Sequence, residues 1–426
     1  MIFIIFVVAF IVLFLVGMPI GFAMISSSVV YALLSGQPLS FFSMEMFSSL
    51  DSFTLIAIPM FMLTAEVMNS STVADRMFDL CNDPVGWIPG GLGHTNVLTS
   101  VVFAGMSGSA AADAGGIGYL CYRSMVNRGF DKPFNAACTA ASSCIGPIIP
   151  PSIPVVVYAM VVSSASVGKM LLGGIIPGIL MAVFMSGYIA WISIRRGYPM
   201  EKRPTRASLA RAFRRGILPI LTPVVLLTTI STGIVTISEG AVITVLYAAF
   251  LGAVVYRTLG LQALWQAVKN VFCNCGVTLI FFVGGACFSH VLAKENIPSL
   301  FSTHMLSLSS NPIVLLIIIN VFFFLVGCLS DPIVNITLFA PMVIPVVTAC
   351  GMDPSAFGVI LILNCMIGLI TPPVGSMVYI ISGLARAPTQ KVFKECVPFF
   401  IGFYLLVTLL TIFPQIITCI PNAILG

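Results

Sequence analysis

Charge is what this sequence has least of. Of 426 residues, 14 are Asp or Glu and 19 are Lys or Arg, so only 8% are charged, against about 25% in an average soluble domain. So few charges cannot wrap a body of this size in a polar shell. An ordinary soluble enzyme and a disordered chain are excluded. Histidine is also scarce: His94, His290 and His304 are scattered and form no metal cluster. The twelve cysteines, from Cys81 to Cys419, include no CxxC pair, and Cys273 and Cys275 are the closest two. They read as small buried side chains, without a zinc site or a disulfide framework. The net charge of +5 is concentrated: Arg195, Arg196, Lys202, Arg203, Arg206, Arg211, Arg214 and Arg215 crowd into 195–215, where Glu201 is the only acid. This is a local basic loop that should face the cytoplasm, and it gives no support for nucleic-acid binding.

Apolar residues fill the space that charge leaves. They make up 59% of the chain, and the mean hydropathy is +1.11. The expected fold class is an all-α polytopic membrane protein. The first charged side chain is Glu45, so the N-terminal run can supply two spans split near Gly17-Met18-Pro19. It has no basic region of the signal-peptide kind and should stay part of the membrane body. Apolar segments recur near 1–16, 18–34, 47–69, 134–162, 170–194, 216–236, 238–259, 271–292, 312–328, 356–381 and 397–419. Trp87, Trp191 and Trp265 lie near span ends, as interfacial anchors do. The 36 glycines and 27 prolines suit helices that break inside the membrane. Two segments rich in Gly, Ser, Ala and Pro, about 94–126 and about 327–350, read as re-entrant hairpins. Backbone of that kind survives at membrane depth only beside protein or a watery cavity.

The chain repeats itself. Adding 222 carries Gly105, Gly129 and Asp131 onto Gly327, Gly351 and Asp353, and Ile145, Gly146, Ile148, Pro150 and Pro151 onto Ile367, Gly368, Ile370, Pro372 and Pro373. Asp113 falls on Asn335 and Ser109 on Asp331. The expected organisation is a first half, 1–194, with a broken helix at 134–162; the basic loop 195–215; and a second half, 216–426, with a broken helix at 356–381. Duplicated halves with discontinuous helices mark secondary transporters. Whether the halves are inverted is left open by the span count.

The two breaks carry the chemistry. In 145–154 the prolines Pro147, Pro150, Pro151 and Pro154 remove amide donors and clash with the preceding turn, so the helix must unwind. The freed carbonyls of Gly146, Ile148 and Ile149 need partners, because an unsatisfied buried polar group costs several kcal/mol (roughly 2–7). A cation is one such partner. The second copy, 367–376, adds the hydroxyl of Thr371. The hairpin segments offer Ser107 and Ser109 in the first half, and Ser330, Asp331, Asn335 and Thr337 in the second. Neutral oxygens of this sort suit sodium. Acids inside a membrane are functional candidates by default, which singles out Asp113 and Asp331. Asp331 serves equally well as a helix cap before Pro332, and Asp113 reads more as structural. Glu66 and Glu239 read as paired structural acids. Helix N-termini at the tips would favour an anion, so a carboxylate fits without a buried Arg.

Several stretches identify the family. GMSGSAAADAGGIG at 105–118, TAASSCIGPIIPPSIP at 139–154, SDPIVNITLFAPMVIP at 330–345 and IGLITPPVG at 367–375 resemble the large membrane (M) subunit of tripartite ATP-independent periplasmic (TRAP) transporters. The flanks at 58–69 and 84–98 are similar as well. The resemblance implies a fold of the ion-transporter superfamily type, a scaffold beside a transport region, and an elevator motion driven by sodium, Na+. It implies a bacterial inner membrane, a small four-helix membrane (Q) subunit, surrounding membrane lipid, and a periplasmic substrate-binding protein delivering a C4-dicarboxylate or an acidic sugar such as sialic acid. Carried over by position, Ser107, Ser109, Gly146, Ile149 and Pro151 would form one sodium site, and Asp331, Asn335, Gly368, Thr371 and Pro373 a second. Ser107, Gly108, Asn335, Thr371 and Gly375 would contact substrate. Cys144 and Cys365 beside the breaks, and Ser376-Met377 after the second, depart from many members. Two rivals stand beside this reading. One is an ion-coupled anion permease that works alone. The other is an intramembrane serine protease using Ser107 of the GxSG tetrapeptide, with His290 as base.

Overall fold

The computed structural model describes every residue except Lys202, Thr232, Gly233 and Gly426, and the side chains of Arg215 and Ser231 also lie outside it. Among the described residues the regular structure is entirely helical. Five helices are long and apolar enough to cross a membrane, or seven if the bent pairs Leu39–Leu50 with Phe53–Asn69 (57°) and Arg206–Arg214 with Gly216–Ile230 (50°) each count as one. The span expected at 47–69 therefore begins a full helix earlier. The basic stretch 195–215 is also not one loop: Arg195 and Arg196 end the helix Ile175–Arg196, and Arg206 opens the helix Arg206–Ser231. Arginine and alanine are good helix formers, which continues the helix through that charge.

The N-terminal pair Ile2–Leu15 and Ile20–Ser35 is divided as the sequence requires, by Gly17 at φ +92° and Pro19. Both pack with the 34-residue helix Leu261–Lys294. Gly21 and Gly284 let the backbones meet there: a Cβ on Gly284 would lie 2.6 Å from the carbonyl oxygen of Gly21. Lipid offers no hydrophobic drive between helices, so close backbone approach of this sort carries the packing. Phe6, Met24, Tyr31, Phe288 and Val291 fill the gap beside it, and Tyr31 donates to Glu295. The long helix next meets Ala57–Asn69, where Asn270 Nδ2 donates to Glu66 at 2.6 Å. Glu239 closes a capping box with Thr236. Both acids are thus partnered.

Against this frame lies the densest part of the molecule, two helical hairpins and two broken helices. The first hairpin is Gly91–Ser107 followed by Ala110–Asn127, with a π turn at Ala114–Gly118. Its arms run back along each other, since Asn96 reaches Met125. The second is Pro312–Gly327 and Pro332–Ala349, with Phe322 against Phe339 across the arms. It thus spans 312–349 where 327–350 was expected. The helix 312–327, read as a separate crossing, is its first arm. The misreading has a physical cause: Asn320 is the only polar side chain of that arm, whereas the first hairpin's arm carries His94, Thr95, Asn96, Thr99 and Ser100.

The offset of 222 survives in three dimensions. Gly129 and Gly351 both have positive φ, at +89° and +76°. Asp131 and Asp353 are both N-cap residues of broken helices, Lys132–Ser143 and Pro354–Gly368. Ser142 bonds Asn96 on its hairpin arm at 3.3 Å. Its equivalent, Asn364, bonds Asn320 at 3.0 Å. The halves also exchange contacts reciprocally. Ile153–Val161 packs on the second arm of the second hairpin, and Ser376–Ala385 packs on the second arm of the first. Cys144 donates its thiol hydrogen to the carbonyl of Met366, its own counterpart, at 3.3 Å. A residue touching its equivalent, flanked by exchanged contacts, is the signature of a two-fold relation.

Candidate functional site

Each hairpin tip docks on the break of its own half. At the first tip Gly108 turns the chain with φ +58°, and Ser109 caps the next helix by accepting from Ala112 N at 3.4 Å. The broken helix stops at Ser143, and Ser152 restarts it by accepting from Val155 N. Ile153 N donates to Gly108 O at 3.4 Å. A Cβ on Gly108 would sit 2.5 Å from Pro151 O, and one on Gly146 3.6 Å from Ser109 O. Glycine is needed at 108 on both counts, conformation and space.

Ser107, Ser109, Gly146 and Pro151 therefore gather at one junction. The Ile149 side chain points elsewhere, into the space left by Gly178. Ser107 is fully buried and its Oγ has no hydrogen-bond partner. Among the described residues no amide donates to the carbonyls of Gly146, Ile148 or Ile149. Orphaned oxygens of this kind are rare in a folded interior, and a desolvated monovalent cation is a chemically apt partner for them. The base that the protease reading needs is placed elsewhere: the His290 ring lies against Phe41, with ring centroids 4.4 Å apart and planes tilted by 43°.

The second junction has the same plan and a different chemistry. Val374 N donates to Cys328 O at 3.3 Å. A Cβ on Gly368 would lie 2.2 Å from the Gly327 carbonyl. Asp331 caps Pro332–Ala349, its Oδ1 accepting from Ile333 N at 2.9 Å, so the cap half of its expected role is realised. Ser330 donates to Asn335, whose amide returns a bond to Ser330 O at 3.3 Å. The Thr371 hydroxyl donates to Ile367 O at 2.8 Å. Pro372 and Pro373 are exposed, whereas Pro150 and Pro151 are buried. The Pro150-Pro151 and Pro372-Pro373 bonds are both cis. Gly327, Ser330, Asp331, Gly368 and Gly375 line a cavity of about 160 Å³ here.

Between the tips and the frame opens a larger cavity of about 860 Å³, lined among others by Glu66, Asn69, Ser109, Asn274, Thr278 and Asp331. A smaller neighbour of about 160 Å³ shares Ser109, Thr278 and Asp331 with it and reaches Gly108, Pro147, Leu369 and Met377. Both tips and both breaks thus border one continuous region. Of the expected substrate contacts, Gly108 and Gly375 border cavities, while Ser107, Asn335 and Thr371 lie buried behind. Sequence reasoning missed the opposite wall. Its signal was present: Asn270, Asn274 and Thr278 recur every fourth residue, hence on one helical face, and 270–288 carries no other charged, amide or hydroxyl side chain. It also missed the π turn at Ala114–Gly118, whose Gly115 and Gly116 border the cavity. Such turns frequently mark functional positions. Asn69 reaches across to Ala112 O at 3.4 Å.

Asp113 is fully buried; Ser100 donates to its Oδ2 at 2.8 Å and Oδ1 has no partner. The described residues hold no group of three or more metal-ligating side chains. The Trp87 ring carries the Arg203 guanidinium, with 4.8 Å to the centroid.

Comparison with known proteins places this architecture. Residues 7–416 match the family model of the tripartite ATP-independent periplasmic transporter, DctM component. The chain is 36% identical to the sialic acid TRAP transporter large permease protein SiaM of Vibrio cholerae, covering 96% of both chains. It is 30% identical to the 2,3-diketo-L-gulonate TRAP transporter large permease protein YiaN of Escherichia coli, covering 94% of this chain and 95% of that one. With the isethionate TRAP transporter permease protein DctMQ of Oleidesulfovibrio alaskensis it shares 32% identity over 93% of this chain and 62% of the relative. Among solved structures, the YdaH transporter of Alcanivorax borkumensis superposes with a TM-score of 0.65 over 88% of each chain, at 15% identity, a likeness of fold. The relatives are transporter permeases, not enzymes. A multi-pass helical membrane protein with two docked tip–break junctions, this chain belongs to the DctM component family of tripartite ATP-independent periplasmic transporters.

Proposed function

We propose that the chain is the sodium-coupled permease of a TRAP system in a bacterial inner membrane, importing a small hydroxylated organic anion delivered by a periplasmic substrate-binding protein. The observation that carries the coupling is the first junction, where a buried hydroxyl and freed carbonyls lack partners. Sodium bound there would supply the missing contacts and hold tip to break. Solute would sit in the adjoining cavity. Among the described residues lining that cavity none is Lys or Arg, while Glu66, Asp75 and Asp331 are acids. An anion entering it needs compensation from cations and from the amide ends of helices, which makes binding of the two mutually favourable. The relatives' named solutes, sialic acid, 2,3-diketo-L-gulonate and isethionate, are all acids bearing hydroxyl groups, and they motivate the substrate class.

A small membrane subunit would widen the frame. DctMQ, of which this chain covers 62%, has room for such a partner within its own length. The hairpins and breaks would travel as one body across the membrane, an elevator motion, against the frame built on Leu261–Lys294. The test is uptake of labelled solute into proteoliposomes holding this chain, its small subunit and the cognate binding protein. An inward sodium gradient is expected to drive accumulation. Equal uptake with potassium in its place refutes the coupling, and full-rate uptake without the binding protein favours the permease that works alone.

A further inference from the structure

Away from the transport site the chain builds a second, basic recess. It has a volume of about 550 Å³ and is lined by Arg76, Arg211, Arg214, Leu218, Val255 and Tyr256. Arg76 follows the N-cap residue Thr72 of the helix Val73–Val85. Arg211 and Arg214 lie one turn apart on the helix that begins at Arg206. Among the described residues, the ion pairs Arg128–Glu201, Arg196–Asp131 and Arg196–Glu395 do not include Arg76, Arg211 or Arg214; Asp75, Asp79 and Asp83 are the acids on the Arg76 helix, and none of them lines the recess.

The recess has a fixed wall. The Arg76 guanidinium rests over the Tyr256 ring, 4.1 Å from its centroid. The turn after Tyr256 is tied to the cap of the Arg76 helix, as Thr72 N donates to Thr258 Oγ1 at 3.3 Å, and Thr258 and Leu259 both donate to Gly252 O. Three like charges held together in one concave place repel one another unless an anion sits among them. Guanidinium forks match the oxygens of a phosphate.

The surroundings select the kind of phosphate. The 50° bend between Arg206–Arg214 and Gly216–Ile230 lies beside the recess, where the basic stretch gives way to an apolar span. Leu218 and Val255 line the recess itself. Phe213, Leu221, Val224 and Val254 are large exposed apolar residues on the adjoining segments. Charge at one end and an apolar track leading into the bilayer suit an amphiphile, and cytoplasmic leaflets carry anionic headgroups.

We propose that this recess binds the phosphate of an anionic phospholipid headgroup, with the acyl chains along the Leu221–Val224 face. The shared chemistry is a phosphate among three arginines, and a free phosphate is the other possible source.

The experiment is native mass spectrometry of the full chain copurified with its small membrane subunit, in detergent with phosphatidylglycerol and phosphatidylcholine in equal amounts. Wild type is expected to retain phosphatidylglycerol about tenfold over phosphatidylcholine, and the double variant Arg211→Gln/Arg214→Gln to lose that preference. Arg203→Gln/Arg206→Gln, which removes the same charge outside the recess, should keep it. Arg76→Gln should fall between. Arg203, Arg206, Arg211 and Arg214 are exposed and Arg76 is half-buried, and the unfolding midpoint of each variant checks its fold. A parallel titration uses inorganic phosphate: if phosphate stabilises wild type but not the recess variant, and phosphatidylglycerol shows no preference, the site is a phosphate site with a soluble ligand. No preference and no phosphate effect overturns the proposal. Equal loss in both double variants also overturns it, reducing the effect to general surface charge. So does loss of the small membrane subunit from the recess variant without any lipid preference, which would assign these arginines to that partner's acids.

Discussion

The two junctions share a backbone and differ in how their polar atoms are met. At the first, Pro150, Pro151 and Ser107 are buried and the hydroxyl has no partner. At the second, Pro372 and Pro373 are exposed, and Thr371, Ser330, Asn335 and Asp331 bond one another or their own helices. The repeat conserved the scaffold of the break and let the chemistry diverge. A desolvated junction with an orphaned hydroxyl leaves a polar atom unmet. A self-satisfied one, open to a cavity, is stable empty and contributes charge through Asp331.

Substitutions at the tightest points should have the largest effect, and they ask whether both junctions matter. Gly368→Ala would place a Cβ 2.2 Å from the Gly327 backbone, and Gly108→Ala would combine a 2.5 Å clash with a positive φ. Overpacking costs about 1–3 kcal/mol, and at Gly108 the left-handed conformation adds about 1–2, so uptake should fall by about fivefold or more in Gly368→Ala and by about tenfold or more in Gly108→Ala. Near-normal uptake in either one would release that junction from the transport path.

Asp331 comes next. Asp331→Asn keeps a capping oxygen and removes the charge, while Asp331→Ala removes both. Loss of the cap should lower stability by about 1 kcal/mol in the Ala variant alone. If the charge serves sodium, both variants should weaken sodium activation of uptake by about tenfold or more. Unchanged sodium titrations would leave the residue as a cap only.

The finest contrast is between two hydroxyls. Ser107→Ala deletes an oxygen with no partner, so it should weaken sodium activation about tenfold while leaving stability in potassium unchanged or slightly raised. Thr371→Val deletes a donor already bonded to Ile367 O. It should lower stability by about 1 kcal/mol in both salts, with a smaller change in sodium affinity. Thermal unfolding in each salt, paired with uptake, separates the two. The reverse pattern would exchange the roles assigned to the junctions.

Much of this was legible in the residues. Paired prolines spaced by 222 located both breaks, and Asp131 and Asp353 stand as N-caps where that spacing put them. Hairpin limits were less legible, because the arm Pro312–Gly327 reads like a lipid-facing span: hydropathy records apolarity and is blind to what covers it. The far wall of the cavity was hidden for a related reason. Asn274 and Thr278 gain meaning only when the long helix packs against Ser109 and Asp331 across open space, and that pairing is separated by too much chain for any local pattern. Cys144 looked like a departure from its relatives. Its place on the pseudo-symmetry axis, against Met366, belongs to the folded halves together.

Reciprocal bracing has a mechanical outcome. Because Ile153–Val161 leans on one hairpin and Ser376–Ala385 on the other, neither pocket can be prised apart without dragging its twin. On the sodium-coupled reading proposed above, the two loads, inorganic and organic, would board a single vehicle, and a journey with one berth disturbed would be made badly by both.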